Sequence, residues 1–389
     1  MRHIAGLLAA LSLAACVAPQ HKLISLAPDV LDPTDDVRLG LAFAPGAETF
    51  TVYAPDADDT AYNHGVALTR FQGRLYAQWQ SSLRDEDAPE TQVLYAVSDD
   101  DGASWSPPRA LTALRNEGYT TSGGWWQTED RLLAYVNVWP EHEDGARSGR
   151  TEFMISTDGE VWSAPEAVRL SDGRPVPGII EQDTRAIPGG RLVTTFHVEP
   201  GLTATPFYTD DPLGVSGWTA GLMENLPHEG DVSRELEPSW FWREESREIV
   251  MLFRDQATSY QTLVSVSGDR GENWTTPELV GFPDSRSKQS AGNLPDGSVF
   301  RVSNPRSDRA RYPLVLSLSE DGIVFDRAWL LRAGGGDIQP LRFEGRYKRE
   351  GYSYPKTHVG ERYLYVGYAT NKEDVEVTRV PLESLLKQE

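Results

Sequence analysis

The chain has 389 residues and a formal charge of −21, with 58 Asp and Glu against 37 Lys and Arg. That excess argues against nucleic acid and anionic membrane surfaces as partners, and any anionic substrate must be met by a local cationic patch. A lone cysteine, Cys16, rules out a disulfide within the chain.

At the amino terminus, Arg2 and His3 precede an apolar stretch from Ile4 to Leu13 that is too short to span a bilayer. It ends in Leu13-Ala14-Ala15-Cys16, which resembles a bacterial lipoprotein cleavage box with Cys16 as the lipidation site. The other reading is an ordinary secretory signal with an incidental cysteine. Residues 1–16 are expected to be the signal, 17–30 a linker and 31–389 one catalytic domain. That domain would be a monomer in the periplasm or at the outer membrane, touching the membrane only through its lipid.

Residues 22–61 are irregular, with strands predicted at Val37 to Phe43 and Thr49 to Ala54. They either build a blade of their own or close a ring with the C-terminal strand Val375 to Val380. From there on, turn clusters recur at Gln72-Gly73-Arg74, Glu129-Asp130-Arg131, Pro188-Gly189-Gly190, Glu245-Ser246-Arg247, Pro295-Asp296-Gly297 and Gly360-Glu361-Arg362. Each joins two apolar runs of period two, such as the one that continues Leu75-Tyr76-Ala77-Gln78-Trp79, which is hairpin patterning. Leu382 to Lys387 could make one helical turn.

A second signal runs in phase with the first. Ser98-Asp99-Asp100-Asp101-Gly102-Ala103-Ser104-Trp105 is repeated as Ser267-Gly268-Asp269-Arg270-Gly271-Glu272-Asn273-Trp274. Shorter forms end at Trp162 and Phe325, and a degenerate one at Trp218. The closing aromatics at 105, 162, 218, 274 and 325 are separated by 57, 56, 56 and 51 residues. A fixed period of that size means stacked supersecondary units. Asp and Gly close a tight turn, and the aromatic plugs the gap beneath it. The phrase is similar to the Asp box of sialidase-like proteins, a structural element joining the third and fourth strands of a propeller blade. The expected fold is therefore an all-β β-propeller of four-stranded antiparallel blades. Seven blades is the favoured count and six the alternative.

Blade geometry places the starts of first strands and the loops between second and third strands on one face, opposite the Asp boxes. That face should carry His64, Asp85-Glu86-Asp87, Glu141-His142, Glu181 to Asp183, His197, Glu237, Arg254, Gln289, Arg306 to Arg311, Tyr352, Tyr354 and Asn371-Lys372. Asp85-Glu86-Asp87 could hold Ca²⁺ with other oxygens, although a plain acidic loop is the favoured reading. No cofactor is required: there is no Gly-rich phosphate loop, Cys pair or His-Glu-x-x-His. Trp125-Trp126 could stack on a sugar face or pack in the core.

The resemblance to sialidases implies three arginines gripping a substrate carboxylate. Arg254, in Met251-Leu252-Phe253-Arg254-Asp255, and Arg311, in Arg311-Tyr312-Pro313, match two of them. The third slot reads Tyr62-Asn63-His64-Gly65, so a histidine replaces an arginine. Glu237 and Tyr354 resemble the sialidase glutamate and nucleophilic tyrosine. The stretches Gln289 to Gly297, Tyr312 to Gly322 and Asn371 to Val377 resemble a narrower family of sialidase-like propellers. Its members, described as seven-bladed, are lyases and α-L-rhamnosidases acting on L-rhamnose linked α-1,4 to D-glucuronate at the ends of arabinogalactan side chains. That resemblance implies an enzyme on an anionic oligosaccharide or polysaccharide, cleaving by elimination or by hydrolysis. His64, His197, Tyr354, Arg254 and Arg311 would be catalytic, and Glu237, Gln289, Arg306 and Trp125 would bind substrate. An exo-sialidase and a non-catalytic, lipid-anchored glycan-binding propeller are the rival readings.

Overall fold

The computed structural model describes residues 21–56, 59–140, 148–181 and 184–386. The signal with Cys16, Glu141-His142 and Gln182-Asp183 lie outside the described residues.

The repeating unit begins with a hairpin. Tyr62–Phe71 turns into Arg74–Ser82 through Gln72 and Gly73, whose φ angles are 47° and 82°. Two successive positive φ angles match the twist of paired strands, and glycine adopts them without a Cβ clash. Gln92–Ser98 and Arg109–Ala110 complete an antiparallel sheet of four, blade one. Blade two is Tyr119–Gln127, Leu132–Trp139, Arg150–Ser156 and Glu166–Ala167. Blade three has its inner strand broken into Gly178–Ile180 and Arg185–Ala186, followed by Leu192–Val198, Thr203–Thr209 and Thr219–Ala220. Blade four is Glu235–Arg243, Glu248–Asp255, Gln261–Ser267 and Glu278–Pro283. Blade five is Ser290–Asn293, Val299–Ser303, Leu314–Ser319 and Arg327–Arg332. Blade six takes Tyr352–Val359, Tyr363–Thr370 and Asp374–Pro381, and its outer strand is Glu48–Tyr53 from the other end of the chain.

The described residues thus form six blades, which corrects the favoured count of seven. Residues 48–53 make no blade of their own: Glu48 pairs with Arg379, Phe50 with Val377 and Tyr53 with Val375, closing the ring. Blade six has no turn between its third and fourth strands, so it needs no Asp box, and five boxes serve six blades. The strand expected from Val37 to Phe43 is also absent. The Asp35 carboxylate accepts the backbone N–H groups of Val37, Arg38 and Gly40 and curls the chain, with Leu39 and Gly40 at positive φ. The described end of the expected 17–30 linker is built into the fold. Ser25–Leu26 pairs in parallel with Val324–Phe325, and Ile24 is buried against Phe241 and Phe325. Of the helical turn expected from Leu382 to Lys387, Leu382–Ser384 forms a turn of the 3-10 type, and a second such turn lies at Gly335–Asp337.

Apolar side chains on both faces of each blade meet those of its neighbours, so the core is divided among the six blade junctions. The Asp boxes lock the outer rim. In the first, Ser98 donates to Asp100 at 2.8 Å, Ser104 N–H donates to the same carboxylate at 2.8 Å, and Trp105 Nε1 donates to Gly102 O at 3.0 Å. These bonds, Ser104's above all, pull the Asp100 pKa down to about 2. Their stabilisation is present above the ordinary carboxylate range and fades as pH falls toward 2.

In blade four, Trp274 is 7 % exposed and Val161, in the box of blade two, is 73 % exposed. Trp274→Ala is expected to cost about 3–5 kcal/mol. Val161→Ala is expected to stay within about 0.5 kcal/mol. Urea unfolding followed by tryptophan-independent circular dichroism checks both; equal losses would mean the aromatic plug does not hold the junction.

Candidate active site

The inner strands carry bulges at one level. Their pairing with the second strand slips between His64 and Ala67, between Ser122 and Gly124, between Leu236 and Ser239, and between Ser353 and Lys356. A bulge adds a residue and re-aims the side chains around it. Two bulge residues other than glycine are left-handed, Glu237 with φ 51° and Tyr354 with φ 58°. Such backbone costs on the order of 1–3 kcal/mol and persists where the surroundings hold it. The outcome is that His64, Glu237 and Tyr354 face a cavity of about 950 Å³ on the axis, at the end away from the Asp boxes.

Tyr354 is the hub of this cavity. Its hydroxyl donates to Glu237 Oε1 at 2.5 Å and accepts from Arg254 Nη1 at 2.9 Å. Arg254 Nη1 also lies 2.7 Å from Glu237 Oε2, closing a triangle of buried groups. The Arg311 guanidinium covers the Tyr354 ring at 4.8 Å and donates to Ser353 Oγ at 2.8 Å. His64 packs against the same ring with centroids 4.2 Å apart. Neither ring nitrogen of His64 has a hydrogen-bond partner among the described residues. Lys288 Nζ is 5.9 Å from the Tyr354 ring and 2.9 Å from Glu181 Oε2. His197 Nε2 accepts the Glu237 backbone N–H at 3.3 Å.

The electrostatics follow from burial among cations. His64 is held well below the ordinary imidazole range, first by desolvation and then by Lys372, Arg311 and Lys288, so it stays neutral. His197 is pushed down to about 4, again by desolvation first. Burial raises the Tyr354 phenol, against the opposing pull of Arg254. Lys372 is lowered to about 8 by desolvation, although Glu86 lies 2.5 Å away. Nine Lys and Arg side chains and four Asp and Glu side chains line the cavity. An acid-rich chain thus encloses a cationic pocket.

Of the residues singled out from sequence, His64, His197, Glu237, Arg254, Arg311 and Tyr354 come together here. Three proposed binding residues do not. Gln289 is buried behind the wall, where its Oε1 accepts from Arg301 Nε at 2.6 Å. Arg306 is tied to Asp36 at 2.8 Å and Asp308 at 2.5 Å outside the cavity. Trp125 is a core residue between blades one and two, its Nε1 donating to Ala67 O at 3.0 Å. Tyr352, expected on the functional face, is buried and donates to Ala333 O at 3.0 Å. From the Asp85-Glu86-Asp87 loop, Glu86 and Asp87 line the cavity as expected, while Asp85 accepts the Arg346 N–H at 2.7 Å and Glu86 binds Lys372. Among the described residues no three His, Cys, Asp or Glu side chains converge as a metal site.

Sequence reasoning missed Lys288, Arg286, Arg349 and Lys356. Lys288 precedes the inner strand of blade five, the slot that His64 takes in blade one, so the repeat register could have found it. Arg349 sits in the long link between blades five and six, where no periodic signal reaches.

Lys372 is charged below about pH 8 and neutral above it. Binding of a carboxylate-bearing ligand should therefore weaken as pH rises through about 8. In Lys372→Arg that limb should vanish, because guanidinium stays charged. Calorimetric titration from pH 6 to 10 checks this, and an unchanged limb in the variant would assign it to another group.

Residues 73–366 match the family model of the BNR repeat-like domain. No curated protein matches. Among solved structures, a protein of unknown function from Dyadobacter fermentans superposes with a TM-score of 0.66 at 15% identity, covering 86% of this chain and 99% of that one. A sialidase superposes with a TM-score of 0.64 at 18% identity; 93% of this chain is covered, but only 35% of that longer one. The intramolecular trans-sialidase of Ruminococcus gnavus superposes at 0.63 and 13% identity, covering 88% and 99%. At these identities the likeness is one of fold, a sialidase-like propeller. With the match spanning most of its length, the chain belongs to the BNR repeat-like domain family.

Proposed function

We propose that this protein is a glycan-cleaving enzyme acting on a terminal L-rhamnose linked α-1,4 to D-glucuronate, as on arabinogalactan-type chains, by β-elimination. The observation that carries the reading is His64: a buried, neutral imidazole stands against Tyr354 in a cation-lined cavity, where a sialidase would place an arginine. Two arginines and a histidine grip a carboxylate less tightly than three arginines, but neutral imidazole can take a proton.

Elimination removes the proton on C5, beside the carboxylate, and breaks the bond from C4 to its oxygen. The electron pair from C5–H becomes the C4–C5 double bond, and the departing oxygen takes a proton. Charge builds on the carboxylate in the transition state, and preorganised cations such as Arg311 lower that cost. His64 is the base. Tyr354, kept protonated by burial and held by Glu237 and Arg254, is the acid. His197 positions Glu237 through its backbone N–H.

A second reading has its own support. The 2.5 Å bond from Tyr354 to Glu237 is what a tyrosine nucleophile activated by a carboxylate requires. Hydrolysis, as an α-L-rhamnosidase or an exo-sialidase, would use that pair.

Incubation with gum arabic or rhamnosyl-glucuronate separates these readings. Rhamnose release with new absorbance at about 235 nm, from the unsaturated uronate, supports elimination. Release without absorbance supports hydrolysis, and turnover of a fluorogenic sialoside supports a sialidase. Binding without any product would make the protein a glycan-binding module. His64→Ala should lower kcat by about 10²–10⁴-fold. The acid limb of kcat/KM should lie below the ordinary imidazole range, since His64 remains a base until it is protonated.

A further inference from the structure

One carboxylate needs two or three cations, and the cavity holds more. Arg254 and Arg311 are occupied at its floor with Glu237, Tyr354 and Ser353. At the blade five side of its mouth stand Arg286, Arg309 and Arg349, which all line the cavity. Arg286 lies in the link between blades four and five, Arg309 between the second and third strands of blade five, and Arg349 in the link between blades five and six. The backbone N–H of Arg286 donates to Asp284 Oδ1 at 2.7 Å, but none of the three guanidinium groups has a carboxylate in hydrogen-bond or ion-pair contact among the described residues. The nearest carboxylates are already used, Glu86 by Lys372 and Glu237 by Arg254 and Tyr354.

This runs against the composition. In a chain with 58 acids and 37 bases, surface arginines pair readily. Arg74 binds Asp99 and Glu160, and Arg191 binds Asp210 and Glu272. The three at the mouth stand near other arginines, and the carboxylates that act on them from a distance, Glu237 on Arg286 and Glu86 on Arg349, outweigh neither burial nor that repulsion. Arg286 is lowered by burial and then by repulsion from Arg254 and Arg309. Arg349 is lowered by burial and then by repulsion from Arg311 and Arg309. Arg309 is exposed and is the neighbour common to both, and Arg286 Nε is buried without a partner. Unpaired guanidiniums gathered in this way are destabilising unless an anion joins them.

We infer that Arg286, Arg309 and Arg349 form a second anion subsite, so that the substrate is a glycan end carrying two anionic groups, the uronate carboxylate and a further carboxylate or sulfate ester within one sugar of it. This rests on the reading of the cavity as a uronate site and specifies its substrate class. The planar forks of arginine suit either oxyanion.

Titration calorimetry on the full domain tests the inference with four probes: rhamnosyl-glucose, rhamnosyl-glucuronate, the latter with one sulfate ester, and a disaccharide of two uronates. At least one doubly charged probe should bind about tenfold tighter than rhamnosyl-glucuronate. Preference for the sulfate ester assigns sulfate, and preference for the diuronate assigns carboxylate. In Arg309→Ala with Arg349→Ala the advantage should collapse, and Arg309→Lys should keep part of it. Equal binding of singly and doubly charged probes to the wild type overturns the subsite and leaves the uronate reading standing, as does an advantage that survives in the double variant. If rhamnosyl-glucuronate binds no better than rhamnosyl-glucose, the uronate reading falls and the subsite falls with it.

Discussion

The pairing of residues 48–53 with residues 374–381 is the constraint on which everything else in this fold depends. Each blade buries its faces only against its two neighbours, so an open array would leave two apolar faces in water. The antiparallel ladder from Glu48 to Tyr53 closes the ring with backbone hydrogen bonds across the whole length of the chain. Closure fixes the number of blades, and that number fixes the distance across the axis. With six inner strands, side chains from blades one, four and six meet at Tyr354. Arg311, from blade five, covers the same ring.

Ring closure brings the strands together, and the bulges decide what they present. A regular inner strand sends alternate side chains into the two blade junctions and leaves few to face the axis. The extra residues at His64, Glu237 and Tyr354 break that alternation where the strand starts. The left-handed backbone at Glu237 and Tyr354 is held by the contacts that these two side chains make with each other and with Arg254. Strain and polar contact coincide here: the two left-handed residues are the two that share the hydrogen bond at 2.5 Å, which offsets part of the backbone cost.

The architecture was legible because it is repetitive. Asp100 and Asp269 with their closing tryptophans gave the period, and the period gave the register that led to His64. The blade count was harder, since the irregular stretch before Thr60 contributes one strand to a distant partner, and a period says nothing about pairing between chain ends. In the site, residues that follow the register could be placed: Arg254 ends a second strand and Tyr354 starts a first. Gln289 and Trp125 misled because periodicity gives a residue's level along the axis but not its side. Gln289 turns inward to Arg301, and Trp125 turns into the junction above Ala67. Arg349 had no signal, lying in an irregular link tied down by backbone N–H groups of Arg342 and Arg346 that donate to Glu373 and Asp85.

The opposition between an acidic exterior and a cationic cavity bears on how a substrate reaches the site. A polyanionic chain lying along the outer surface meets carboxylates whose repulsion is screened beyond a Debye length of about 8 Å. Within the cavity, water is partly excluded and the field of Arg254, Arg311 and Lys288 is screened far less. The exterior therefore does little to hold such a chain, while a charged end that enters the cavity gains the full attraction. Burial first, and then the same cations, lower the basicity of His64 by making imidazolium unfavourable. In the proposed elimination, a bound carboxylate would return part of that basicity by neutralising its neighbours, so that binding of the anionic group and protonation of His64 would be coupled through the same few charges.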